Sequence, residues 1–197
     1  MKSILSPFFK VMFSPDDFFE EIRHATGWKM PLIHFFLLAC WLSLGSVISW
    51  GLGIDGANPI NSSLGAQMDV YPYWKDTLLP QTGVWSYPIA MGLIILEMLI
   101  ITLIFTPVIY LVFRFLGGSP QPRGILHAFQ GFVYGLTPTA FGGFLPVAAL
   151  ITGVFATLLQ FQRGPSITLQ NRKGGSYVLI VLFLAYAIYR YWQRELI

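Results

Sequence analysis

Long apolar stretches recur along this chain, beginning near Leu32, Ser86, Ile125, Pro146 and Ser176. Roughly 20 such residues carry a helix across the hydrocarbon core of a bilayer. One run of that length fits the core of a soluble domain, but several cannot share a core in a chain of 197 residues. Only 11% of the residues are charged, against about a quarter in soluble domains. The pattern predicts an all-α integral membrane protein with five transmembrane helices and an N-terminal interfacial amphipathic helix.

Residues 1–30 read as a cytoplasmic amphipathic segment and 31–197 as the membrane bundle. Met1 to Lys10 lacks the long apolar region of a cleaved signal peptide. Ser14-Pro15-Asp16-Asp17 reads as a helix start, with Ser14 as cap, Pro15 in the first turn and two aspartates at the positive dipole end. Phe13 and Phe18 stand at staple positions, and Phe18, Phe19 and Ile22 make an apolar side that runs to about Ala25. That side suits the membrane interface or the protein's own loops.

The spans are expected at about Leu32–Ile54, Ser86–Phe115, Ile125–Phe144, Pro146–Phe161 and Ser176–Tyr191. An external loop, 55–84, carries Tyr71-Pro72-Tyr73-Trp74 and is expected to rest at headgroup level. Arg163 to Gly175 reads as a polar loop. Lys2, Lys10, Arg23, Lys29, Arg114, Arg123, Arg163, Arg172 and Lys173 fall on one side, against Lys75, Arg190 and Arg194 on the other. By the positive-inside rule the N-terminus is cytoplasmic and the C-terminus outside.

A net charge of +3 with dispersed basic residues leaves no footprint for nucleic acid. The lone Cys40 excludes an internal disulfide. The chain has no G-x-S-x-G, H-E-x-x-H or phosphate-binding G-x-x-x-x-G-K-[ST]. His24, His34 and His127 lack metal-ligand spacing. Glu20-Glu21 resembles the pair of intramembrane prenyl-type proteases, but Arg23 stands too close and the matching histidine segments are missing. No catalytic residue, metal or cofactor is expected.

Glu97 is the acidic residue deep in a span, where a carboxylate faces a bundle interior or a wet cavity. His34, His127, Gln130 and Tyr134 are candidate partners by depth. An ion or proton site is one reading, and a neutral acid making an interhelical hydrogen bond is the other. Thr106-Pro107 and Thr137-Pro138 repeat a single device. Each proline frees a carbonyl one turn earlier, at Leu103 and Tyr134, which the threonine hydroxyl can help to satisfy. Gly131-x-x-x-Gly135 and Gly142-Gly143 permit close helix approach, within one chain or between copies.

Tyr134-Gly135-Leu136-Thr137-Pro138, following Phe115-Leu116-Gly117-Gly118, resembles the Yip-domain family, five-span membrane proteins named for interaction with Ypt/Rab GTPases. The order of Ser14-Pro15, Phe18-Phe19, one span, a long loop and four close spans is similar too. The resemblance implies trafficking roles in eukaryotic members, which carry a long N-terminal region. Here that region ends before Pro31, as in a compact prokaryotic relative of the plasma membrane.

The expectation is a non-enzymatic scaffold, embedded in the lipid bilayer, self-associating as a homo-oligomer and organising other membrane proteins or bilayer shape. The alternative is a small ion, proton or solute permease using Glu97 and the proline-broken helices.

Overall fold

The computed structural model describes residues 6–54, 70–116, 123–141, 146–171, 173–181 and 183–184. Among them every regular element is helical. Gly142-Gly143 and the end of the fifth expected span lie outside the described residues.

Two short helices open the chain, α1 (Ser6–Phe13) and α2 (Pro15–Ile22). The break falls at Ser14, where Pro15 starts the second helix. Ser14 makes no side-chain capping bond, and Phe13 is 80% exposed, so neither the predicted cap nor the predicted staple forms. The apolar side of α2 is as read, but it faces the protein. Phe18 and Phe19 cluster with Val11, Tyr134 and Leu159, and Ile22 packs against them.

The long helix α3 spans Lys29–Gly51. It stops short of the expected Ile54 because Gly53 takes φ +75, a left-handed conformation that costs glycine little. The Gly53 amide then bonds Trp50 O at 3.0 Å and the Ile54 amide bonds Ser49 O at 2.9 Å, closing the helix end.

Residues 70–85, expected as part of a loop, are helical. Helix α4 (Val70–Tyr73), a π turn (Trp74–Leu78), α5 (Leu79–Thr82) and a 3-10 turn (Gly83–Trp85) lead into α6. Trp74 is buried rather than at a surface: its ring packs at a tilt against Trp50 and Tyr87, 5.5 Å from each, and its Nε1 donates to Ser86 Oγ at 3.0 Å. Helix α6 occupies Ser86–Phe115, the predicted span, and runs through Pro107. Its buried face carries Ala90, Ile94, Glu97, Thr102, Thr106, Ile109 and Phe113, while Leu96, Ile100, Leu103 and Ile104 face outward.

Helix α7 (Gly124–Gly135) is shorter than the third predicted span and continues as a 3-10 turn, Thr137–Phe141. It is enclosed, every residue from Ala128 to Gly135 being buried. Phe129, Phe132 and Val133 pack with Phe35 and Leu38 of α3 and Ile94, Met98, Ile109 and Phe113 of α6. Helix α8 (Pro146–Leu158) runs into a π turn, Leu159–Arg163. The expected loop after it is instead α9 (Gly164–Thr168), packed on α7, and 173–181 begin a further helix, α10.

Two of these stretches are long and apolar enough to cross a membrane, Lys29–Gly51 and Val70–Phe115, with window hydropathies of 2.0 and 2.5.

Candidate functional site

Gln130 and Tyr134 of α7 converge where the N-terminal helices dock. Tyr134 is 4% exposed, its ring edge-on to Phe18 at 5.0 Å and 4.6 Å from His34. Phe8 covers the other side of His34 at 4.5 Å. His34 Nε2 lies 3.0 Å from Thr137 Oγ1, which donates to Tyr134 O at 2.6 Å. A hydroxyl has one proton to give, so His34 must carry its own on Nε2. The chain of donation runs His34 to Thr137 to the carbonyl that Pro138 frees.

The two Thr-Pro pairs differ in their surroundings. Thr106 Oγ1 has no hydrogen-bond partner among the described residues, and α6 continues unbroken. Thr139 Oγ1 adds a bond to Leu136 O at 2.6 Å, and Trp41 Nε1 one to Ala140 O at 2.8 Å.

Of the four residues read as one polar site, the structure joins two. Gln130 and Tyr134 both line a cleft of about 450 Å³ between α1, α2, the start of α3 and α7. Gln130 Nε2 reaches Ala25 O at 3.5 Å, a long contact. His127 and Glu97 do not line that cleft. His127 Nδ1 donates to Thr168 O at 2.9 Å, and Thr168 Oγ1 donates back to His127 O at 2.9 Å, clipping α7 to α9. Glu97 is 5% exposed on the inner face of α6.

The glycines serve contacts within the chain. A Cβ on Gly135 would stand 2.6 Å from Gln160 N, and one on Gly131 2.9 Å from Pro165 N. The Gly131/Gly135 face is therefore covered by residues 160–165 and is not open to another copy.

Charges that the linear reading left apart hold the N-terminal helices down. Lys10 pairs with Glu21 at 2.5 Å across the Ser14 break, and Glu20 with Arg23 at 2.6 Å. Both glutamates of the protease-like pair are thus in ion pairs. Asp16 takes Nε and NH2 of Arg163 in a two-point contact. This hydrogen bonding holds the Arg163 guanidinium above its ordinary pKa. The 147-residue separation hid that pair, as did the reading of Arg163 as a loop residue.

The described residues thus have helices as their regular elements, with two stretches long and apolar enough to cross a membrane and an enclosed Tyr-Gly-Leu-Thr-Pro joint, the pattern of a helical membrane protein. The family model of the Yip1 domain matches residues 9–193. The chain belongs to the Yip1-domain family and is a membrane protein of that type. No curated protein and no solved structure matches it.

Proposed function

We propose that the chain is a non-enzymatic membrane scaffold, a five-span bundle in a prokaryotic plasma membrane that self-associates and organises partner proteins or bilayer shape. In this reading residues 1–30 are cytoplasmic, 31–197 form the bundle, 55–84 and the C-terminus lie outside, and the loop charge balance supports that orientation. Helix α7, of 12 residues, is roughly 18 Å long, so the third span of this reading is a broken one that continues through the Pro138 joint into the 3-10 turn.

The observation that carries the scaffold reading is the use made of interior polar groups. His127 clips α7 to α9, and His34 with Thr137 secures the helix break at Pro138. These contacts join elements, whereas a conduction path needs polar groups that exchange partners with water. Self-association, with the Gly131/Gly135 face occupied, would use outward apolar residues such as Leu96, Ile100 and Leu103 of α6.

The test is reconstitution. Proteoliposomes are expected to show no proton or cation flux above empty vesicles, with Glu97→Gln indistinguishable, and cross-linking in native lipid is expected to trap copies together. Flux that disappears in Glu97→Gln at unchanged thermal stability overturns the scaffold in favour of a permease. A chain that stays monomeric in native lipid overturns self-association.

A further inference from the structure

The cleft beneath the N-terminal helices has the chemistry of a phospholipid site. One wall is Gly27 and the first turn of α3, where Lys29, Met30 and Pro31 line the cleft. The first helical bond of α3 is Leu32 N to Trp28 O at 3.0 Å, so the Lys29 and Met30 amides precede the ladder. Trp28, the N-cap residue, supplies no side-chain cap. The positive end of a 23-residue helix thus faces the cleft beside an exposed lysine, and such an end attracts phosphate. Lys10 lines the same cleft but is neutralised by Glu21, which leaves Lys29 as the cation next to the helix end.

A second observation lies deeper. Gln130 lines the cleft and is 1% exposed, and its Oε1 has no hydrogen-bond partner among the described residues. A buried acceptor left without a donor costs about 1–3 kcal/mol, so a ligand carrying a hydroxyl gains by reaching it. Apolar side chains share the lining with Ser6, His24 and the Lys10-paired Glu21. Phe18 and Met30 line the cleft, and Met30, Leu37 and Leu44 are 45%, 43% and 42% exposed. Their spacing of seven residues puts them on one side of α3, an apolar stripe descending from the cleft.

We infer that this cleft holds one anionic glycerophospholipid with a hydroxylated headgroup. Its phosphate sits at the N-terminus of α3 beside Lys29, its headgroup hydroxyl donates to Gln130 Oε1, and its acyl chains follow the Met30–Leu37–Leu44 stripe. The site requires α3 to cross the bilayer, and it requires neither self-association nor the other spans.

Native mass spectrometry of the full chain, delipidated in detergent and titrated with defined lipids, tests this. One phosphatidylglycerol per chain is expected to be retained, with phosphatidylcholine washed away. Lys29→Glu, a surface change that leaves the fold alone, is expected to weaken retention about tenfold. Gln130→Leu is expected to weaken phosphatidylglycerol about fivefold while leaving phosphatidic acid, which lacks the headgroup hydroxyl, unchanged. Equal retention of phosphatidylcholine, or Lys29→Glu binding as well as the parent, overturns the site. Tight binding of soluble glycerol phosphate with no lipid retained overturns the lipid as its source. Cross-linking and flux are separate readouts, so the lipid site and the scaffold fail independently.

Discussion

Thr106-Pro107 and Thr137-Pro138 are the same dipeptide in two apolar helices, yet one is passed through and the other ends its helix. Pro107 is exposed on α6, with helix continuing eight residues beyond it to Phe115. The ladder on both sides tolerates one missing bond. Pro138 is buried, and the carbonyls around it have other donors: Thr137 for Tyr134, Thr139 for Leu136 and Trp41 for Ala140. Where substitute donors surround it, a proline redirects the chain into a tighter 3-10 turn. Where none does, the helix carries it as a local flaw. What a proline does in a membrane helix is therefore set by the company of its freed carbonyls.

The comparison can be broken most sharply at one glycine in each helix. Gly135→Ala places a Cβ 2.6 Å from the backbone of Gln160 and should cost about 3 kcal/mol. Gly92→Ala in α6 meets nothing within 4 Å and should gain about 0.5–1 kcal/mol from helix propensity. Unfolding in detergent measures both, and equal effects would mean that α7 is not held as tightly as its surroundings indicate.

A smaller contrast separates the threonines. Thr137→Val removes the donor to Tyr134 O and the partner of His34, for a loss of about 2 kcal/mol. Thr106→Val should leave stability unchanged or raise it by about 1 kcal/mol, since its buried hydroxyl has no hydrogen-bond partner among the described residues. A Thr106 effect as large as that of Thr137 would sink the distinction.

Smaller again is the term that links His34 to this joint. A double-mutant cycle of His34→Ala with Thr137→Val should give a coupling of about 1 kcal/mol, and additivity would detach the histidine from the break. The smallest effect belongs to the exposed Asp16–Arg163 pair. Asp16→Asn should cost about 0.5 kcal/mol or less, shrinking further in high salt. A loss above that, persisting in salt, would show the pair to be shielded by the bundle.

Much of the architecture is legible in the linear pattern. The bounds of α6 follow from its apolar run, the split at Ser14 from Ser-Pro-Asp-Asp, and the apolar side of α2 from Phe18, Phe19 and Ile22. The candidate site was legible only in part. Depth along a span groups His127 with Gln130 and Tyr134, but depth says nothing of which way a side chain turns about its helix. His127 and Gln130 are three residues apart on α7, and one faces α9 while the other faces the cleft. In the linear pattern Lys29 is only a charge to be counted, because only the fold brings the N-terminal helices over the start of α3.

The sequence by itself determined that this chain enters a bilayer, that the regular elements of its described residues are helices, and that it belongs to the Yip1-domain family. Hydropathy, helix period and family motif are all local properties that need no partner. Only the tertiary structure decided that α2 turns its phenylalanines inward, that Gly131 and Gly135 receive residues 160–165 instead of a second copy, and that one of two identical Thr-Pro pairs breaks its helix. Each of those outcomes depends on atoms far away in sequence. A hydroxyl, a glycine face or a freed carbonyl accepts any partner with the right geometry, and only the assembled bundle supplies it.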